Sequence, residues 1–301
     1  LQFKNLQSFV AVAESGSWAD AARHLGLTAA AISARVHALE EELGAPLIRR
    51  AGRAVQPTDA GMRLLPNAQK VLREAEALKT IVKDDGLTGK LRLGVFASAM
   101  TGMLPPVLTQ IYRHMPELEI SVTPGASIQL CRMVENGDLD AALVVEPQFS
   151  LGKYVEWEFL LEEPLVVVCS TRQPSRDPLA LLQTQPLIRY DRHVLGGQLA
   201  DRFLRDQKIR PAQRMEINSI MAVASIVAED LGVALLPDWQ PLRQESLAIE
   251  RLPLPCRTPL RRVGMVWKKE GPRTHVAEAL LDHACQALGH WEHFAQPRAA
   301  P

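Results

Sequence analysis

The sequence lacks the features that mark several large protein classes. Its four cysteines, Cys131, Cys169, Cys256 and Cys285, are far apart and form no C-x-x-C pair. That spacing argues against a zinc cluster or a disulfide framework and reads them as free core thiols. No apolar run approaches the roughly 18 residues a membrane-spanning helix needs, and residues 1–5 have neither the basic start nor the apolar core of a signal peptide, so the expected compartment is the cytoplasm. Net charge is absent too: 34 Lys and Arg balance 34 Asp and Glu, so any nucleic-acid binding must rest on a local patch. Motifs of turnover are missing. There is no G-x-S-x-G elbow, H-E-x-x-H helix, G-x-G-x-x-G turn or P-loop. His290 and His293 stand at helical spacing near the C-terminal end, where a lone pair is usually solvated. No catalytic residue, cofactor or metal site is expected.

What the chain has is length and a normal apolar share. Its 301 residues, 47% apolar and 23% charged, allow about two domains with sizeable cores. The most informative stretch is 17–36. Ser17 followed three residues later by Asp20 is a capping-box start, and Trp18, Ala21, Ala22 and Leu25 then share one helical face. Gly26 sits where a left-handed residue ends a helix, and Thr28 can cap the next one after a very short turn. Two helices joined so tightly must cross steeply, the helix-turn-helix layout whose second helix can enter a DNA major groove. In that second helix Ile32, Val36, Leu39 and Leu43 form the buried stripe. Ala30, Ala34, His37 and Glu41 lie opposite it, with Ser33 and Arg35 on the flanks. This outward face is small and uncharged over its first turns, either shaped for close approach or simply an alanine-rich helix, and the flanking sequence decides.

Residues 4–14 supply a third helix, with Leu6, Phe9, Val10 and Ala13 on one face. Residues 47–50, a break at 51–53 and residues 54–57 read as a small hairpin. This is a wing: Arg49, Arg50 and Arg53 cluster on it with no acid between Glu42 and Asp59, which suits phosphate contact beside the groove. Over 59–85, Leu64, Ala68, Val71, Ala75, Leu78 and Val82 step by four and three residues in a heptad seam. Nothing in the chain's own sequence is assigned to cover that seam, so a dimer is expected, with a helix about 40 Å long. Pro66 conflicts with a straight helix and predicts a kink.

From 91 onward strands alternate with helices. Strands at 91–95, 119–123 and 141–145 enclose helices at 104–114 and 128–135, a βαβαβ order that gives a mostly parallel sheet. Strands at 165–169, 187–189, 214–217 and 233–236, with helices at 198–207 and 220–229, repeat it. Two sheets imply a cleft. Residues 262–267 and the helix 276–288 return to the first lobe.

These residues resemble the LysR-type transcriptional regulators over nearly the whole chain. In the head the likeness rests on Leu6 to Val12, Gly16-Ser17, Ala21-Ala22, Leu25, Ser33, Leu39-Glu40, Leu43-Gly44, Pro46-Leu47, Arg49 and Thr58-x-Ala60-Gly61. In the second half it rests on Leu91-Arg92-Leu93-Gly94, Leu104-Pro105, Pro116, the run Gly137 to Ala142, Glu163-Pro164-Leu165 and the run Gly232 to Pro237. The resemblance implies an α/β protein overall, with a winged helix-turn-helix at 1–58 and a dimerising linker helix at 59–89. It also implies a two-lobed effector domain, similar to type 2 periplasmic binding proteins, at 90–296, and 297–301 is left as a tail. Lobe I is set at about 90–161 plus 268–296 and lobe II at about 162–267. The implied partners are double-stranded promoter DNA, a small-molecule effector, further copies of the chain up to a tetramer, and RNA polymerase.

The recognition helix departs from the family pattern. Where many members carry Ser-Gln-Pro-Ala-x-Ser-Arg, this chain has residues 28–34 as T-A-A-A-I-S-A. Ala29, Ala30 and Ala34 can touch a thymine methyl but cannot hydrogen-bond a base edge. DNA contact is therefore expected from Ser17, Thr28, Ser33, Arg35 and His37 around those alanines, and from Arg49, Arg50 and Arg53, with more weight on DNA shape. In related proteins the effector lies near the first strand-to-helix turn and the helix starts facing it. Here those places carry Ser98, Ala99, Thr101, Ser127, Arg189, His193, Asn218 and Ser219. Helix starts offer free N–H groups to an anion, and Arg189 or Arg192 adds charge, although Ser127 and Ser219 also read as plain N-caps. Three alternatives stay open: the same fold switched by oxidation of Cys131 and Cys169, a solute-binding protein, and an enzyme.

Overall fold

Three helices open the chain, and each ends at a glycine. Helix α1 (Phe3–Ser15) stops at Gly16, α2 (Trp18–Leu25) at Gly26 and α3 (Ala29–Leu43) at Gly44, with φ of 65°, 63° and 68°. A left-handed residue at each of these points satisfies the last helical carbonyls, and only glycine adopts it without a Cβ penalty. The starts are fixed by side chains. Ser17 Oγ accepts from the Asp20 N–H at 3.3 Å, and Thr28 Oγ1 from the Ala31 N–H at 3.2 Å. Phe9, Val12, Ala21, Ile32, Val36 and Leu39 close the core between the helices. Leu43, expected in the same stripe, is 43% exposed, because it is the last helical residue before Gly44 turns the chain away.

The structure is a computed structural model that describes residues 1–52, 54–81, 88–243, 247–271 and 273–289. Arg53, Val82, His290, His293 and the 297–301 tail lie outside the described residues. The chain forms two compact units, Leu1–Gly86 and Leu87–Pro301.

The first unit continues with strands β1 (Ile48–Ala51) and β2 (Ala54–Pro57), an antiparallel hairpin. Helix α4 (Asp59–Ile81) then runs unbroken through Pro66. Its seam differs from the expectation that only a partner could cover it. Ala68 is buried, and Leu64, Leu65 and Leu72 pack on the unit's own core, while the Gln69 amide donates to Glu14 of α1 at 2.7 Å. Among the seam residues whose side chains are described, Val71 stands outside, 49% exposed.

In the second unit β3 (Gly89–Val95), β4 (Leu118–Pro124) and β5 (Ala141–Val145) are parallel, in the order β4-β3-β5. The five residues of β5 are all buried, as expected of a central strand covered on both faces. Helices α5 (Ala97–Gly102), α6 (Leu104–His114) and α7 (Ser127–Asn136) lie along this half of the chain. Strand β6 (Val155–Ser170) is 16 residues long. After β6 come α8 (Pro178–Thr184), β7 (Leu187–Tyr190), α9 (Leu195–Asp206), β8 (Gln213–Ile217), α10 (Ile220–Ala228), β9 (Ala234–Pro237), a 3-10 turn (Gln240–Arg243), β10 (Ile249–Pro253), β11 (Leu260–Lys268) and α11 (Thr274–Leu288).

Strand β6 belongs to both lobes. Its first half pairs with β11, which pairs in turn with β5, and its second half pairs with β9 and β10. Residues 260–267 lie in the sheet of lobe I, since β11 is inserted between β5 and β6; this agrees with the expected return of 262–267 to the first lobe and moves the lobe boundary set at 267 back to about 260. In lobe II, Leu165, Val167 and Cys169 face one core and Val166 and Val168 the other, the period-two alternation of a strand covered on both sides.

Candidate nucleic-acid interface and ligand cleft

The N-terminal end of α3 is open. Thr28, Ala29, Ala30, Ala34 and His37 are exposed, Ser33 and Arg35 half-exposed, and Ser17 is half-buried as the cap of α2. No acid stands in the first turn of α3, so the positive end of its dipole is uncompensated there. Arg49 and Arg50 are exposed on β1 and have no ion-pair partner among the described residues. Besides the shared apolar core, Glu40 of α3 ties down the start of the wing. Glu40 Oε1 accepts from the N–H of Leu47 at 2.6 Å and of Ile48 at 3.0 Å, and Glu40 Oε2 lies 3.3 Å from Nδ1 of His37. Beyond the hairpin, Thr58 Oγ1 donates to the Pro46 carbonyl at 2.6 Å and accepts from the Gly61 N–H at 3.0 Å. Gly61 is required by space: a Cβ there would collide with the Leu47 carbonyl oxygen.

The residues expected around the cleft are used in different ways. Ser98 and Ala99 are buried at the start of α5, while Thr101 is exposed. Ser127 Oγ is buried and accepts from the Val145 N–H at 3.1 Å, tying α7 to the end of β5. Arg189 donates to Gln213 at 2.9 Å and to Asp201 at 2.8 Å within lobe II. His193 is 91% exposed, with Nδ1 2.8 Å from Asp191. Asn218 is exposed, and Ser219 caps α10 by accepting from the Ala222 N–H at 3.3 Å. Asp191, His193 and Glu216 each place one potential ligand atom within 4.8 Å of the others. Arg192 nevertheless covers Glu216, donating from Nε at 3.1 Å and Nη2 at 3.0 Å, and these bonds hold the Glu216 carboxyl down at about 2.

Sequence reading missed what Ser98 faces. Its hydroxyl accepts from Nη1 of Arg261 at 3.2 Å, and Arg261 is 1% exposed. Arg261 on β11 lies opposite Glu163 on β6, where the two long strands pass between the lobes. Arg261 Nε donates to Glu163 Oε2 at 2.6 Å, and the Phe96 ring centroid is 5.6 Å from the guanidinium carbon. From lobe II, Gly196 approaches the same side chain and also faces the Tyr190 ring. Burial pushes the Tyr190 hydroxyl up, and Arg261 opposes that shift. Trp239, 2% exposed, places its indole nitrogen against Gly102 of α5, so the lobes also meet beside the 3-10 turn. A signal for Arg261 was available: it shares the inward face of β11 with Val263, Met265 and Trp267, so strict alternation puts an arginine among core positions.

The model of the LysR substrate binding domain matches residues 84–289, and that of the bacterial regulatory helix-turn-helix protein, lysR family, matches residues 3–62. The chain belongs to the LysR family. As a LysR-family protein it is a DNA-binding transcriptional regulator with an effector-binding domain. A probable cat1 operon transcriptional activator of Acinetobacter lwoffii is 30% identical over 249 residues, 79% of this chain and 80% of that protein. Among solved structures, full-length OxyR of Pseudomonas aeruginosa has a TM-score of 0.72 at 23% identity, over 100% of this chain and 99% of its own. CbnR bound to its target DNA has a TM-score of 0.68 at 20% identity, over 95% of this chain and 100% of its own. In this LysR-family chain Cys131 lies in the core of lobe I and Cys169 in that of lobe II. Burial pushes the Cys131 thiol up to about 11 and raises that of Cys169. No helix among the described residues is long and apolar enough to cross a membrane.

Proposed function

We propose that this regulator binds promoter DNA through α3 and the wing as a dimer of dimers, and changes that binding when a small anionic metabolite enters the cleft between the lobes. The observation that carries the DNA contact is the open 28–34 face of α3 beside the exposed Arg49 and Arg50, which have no ion-pair partner among the described residues. Thr28, Ala29, Ala30, Ser33, Ala34, Arg35 and His37 meet the groove, Ser17 the flanking phosphate, and Arg49, Arg50 and Arg53 the backbone beside it. CbnR, similar in fold, is recorded with its target DNA. The exposed Val71 supports pairing of linker helices between copies. The effector region comprises Ser98, Ala99, Thr101, Ser127, Arg189, His193, Asn218 and Ser219. The protein acts in the cytoplasm, beside RNA polymerase and without turnover of its own. Burial of Cys131 and Cys169 in separate cores favours a bound metabolite over cysteine oxidation as the switch.

The test is a footprint of the full chain on the intergenic DNA beside its own gene, with and without a panel of small carboxylic acids. Protection over about two or more helical turns, shortened or shifted by one acid, is the expected result. Protection that no acid alters moves the switch to the cysteines, and no protection in low salt refutes the DNA-binding mode.

A further inference from the structure

We propose that Arg261 is the clamp for the carboxylate of a small monoanionic ligand between the lobes, with Glu163 as the residue that positions it. This rests on the reading of the cleft as the effector site and names its anchoring group, which lies outside the set expected from sequence.

A guanidinium offers five N–H donors in a planar fork. In Arg261 the Nε edge is spent on one oxygen, Glu163 Oε2, with Nε at 2.6 Å and Nη2 at 2.5 Å. Only the Nε contact is aligned as a hydrogen bond, and Nη2, ion-paired to the same oxygen, is buried with no aligned hydrogen-bond acceptor among the described residues. Nη1 gives one bond, to the neutral Ser98 hydroxyl at 3.2 Å. The edge formed by Nη1 and Nη2, the one that matches a carboxylate with two parallel bonds, is therefore buried and under-used. Donor capacity left unused in a buried group costs free energy that an incoming acceptor recovers.

The surroundings extend the clamp across the cleft. Gly196 lies in the first turn of α9, whose start has no side-chain cap and no acid in the first turn. A Cβ at Gly196 would come within 3.0 Å of the Tyr190 ring, 3.3 Å of Arg261 Cδ and 3.6 Å of Nη1. Glycine thus lets a helix start with free N–H groups approach the guanidinium. An anion held there would touch Arg261 on β11, Ser98 of lobe I and α9 of lobe II at once, so its binding would bear on how the lobes meet. Glu163 balances the Arg261 charge, the start of α9 adds about half a positive charge, and Asp191, which acts on the same Tyr190 hydroxyl, offsets part of it. That balance favours one negative charge over two. Arg189 and Arg192 are already committed to Asp201 and Glu216.

Full-length protein is titrated with acetate, benzoate and pyruvate, and with inorganic phosphate as the dianion, by calorimetry and thermal unfolding. At least one monocarboxylate is expected to bind and to raise the melting temperature, with phosphate weaker. Arg261→Gln with Glu163→Gln removes both charges at nearly constant shape, a change that a buried pair tolerates. It should weaken the monocarboxylate about tenfold or more, the equivalent of one charge-assisted hydrogen bond. Arg261→Lys keeps the cation without the fork, should weaken binding as well, and carries the test if the double variant unfolds. Unchanged affinity in a folded variant, or no monocarboxylate stabilising the wild type at millimolar concentration, overturns the assignment. Either result leaves the DNA footprint standing, whereas loss of the footprint itself would count against the proposed function.

Discussion

Replacing Glu40 with alanine should loosen the wing from α3. One carboxylate oxygen receives the N–H groups of both Leu47 and Ile48, and Leu47 is 2% exposed. Hydrogen bonds to a charged acceptor contribute about 1.5–3 kcal/mol each. Ile48 is half-exposed, so water recovers part of its bond, and a total loss of about 2–4 kcal/mol follows. For a unit of this size each kcal/mol moves the melting temperature by about 4–8 °C, so the first unit should melt about 8–30 °C lower. Glu40→Gln keeps the acceptor without its charge and should fall between. The assay is calorimetric unfolding of the full chain, with DNA affinity measured on the same samples at fixed salt. A downward shift below about 3 °C, the size of an ordinary surface change, with unaltered affinity would refute the view that Glu40 anchors the wing.

Gly61→Ala should destabilise the same unit by more than an ordinary surface change, because its Cβ meets the Leu47 backbone carbonyl rather than a movable side chain; chemical denaturation of the variant checks this. Arg49→Ala and Arg50→Ala should each weaken all DNA sequences about equally and reduce the slope of log affinity on log salt by about one; a loss confined to one sequence would contradict phosphate contact. Alkylation in the native state should label Cys256, which is exposed, and spare Cys131 and Cys169 until unfolding, as mass spectrometry would show. Glu216 has its carboxyl lowered from 4.5 to about 2 by Arg192, so its contribution to stability is present above pH 4.5 and lost as pH falls towards 2. The melting temperatures of wild type and Glu216→Gln should converge over that window.

The helix-turn-helix was legible because its determinants are local: Ser17 and Thr28 as caps and Gly16, Gly26 and Gly44 as stops all act within a few residues of their own position. The first half of β6 lies outside the expected strands although Val155-Glu156-Trp157-Glu158-Phe159 alternates, because the apolar run at 165–169 carries the stronger strand signal. The cover on α4 was not legible, because whether α1 or another copy meets Leu64, Ala68 and Leu72 depends on tertiary packing. The assigned cleft residues Arg189 and His193 find acids within their own lobe. Arg261 and Glu163 are 98 residues apart in sequence, and their pairing exists only once β6 and β11 lie side by side.

The pairing of Leu260 with Pro164 makes lobe II a loop-like insert in the chain of lobe I. It leaves and returns at two neighbouring positions on adjacent strands, about 5 Å apart. A whole lobe therefore enters and leaves the chain of its neighbour across a gap that a tight turn could bridge. Deleting the intervening residues and joining β6 to β11 by a short hairpin would leave the sheet of lobe I intact, and another insert with closely spaced ends could be spliced in its place. The geometry treats this lobe as an exchangeable cassette and the rest of the second unit as its socket.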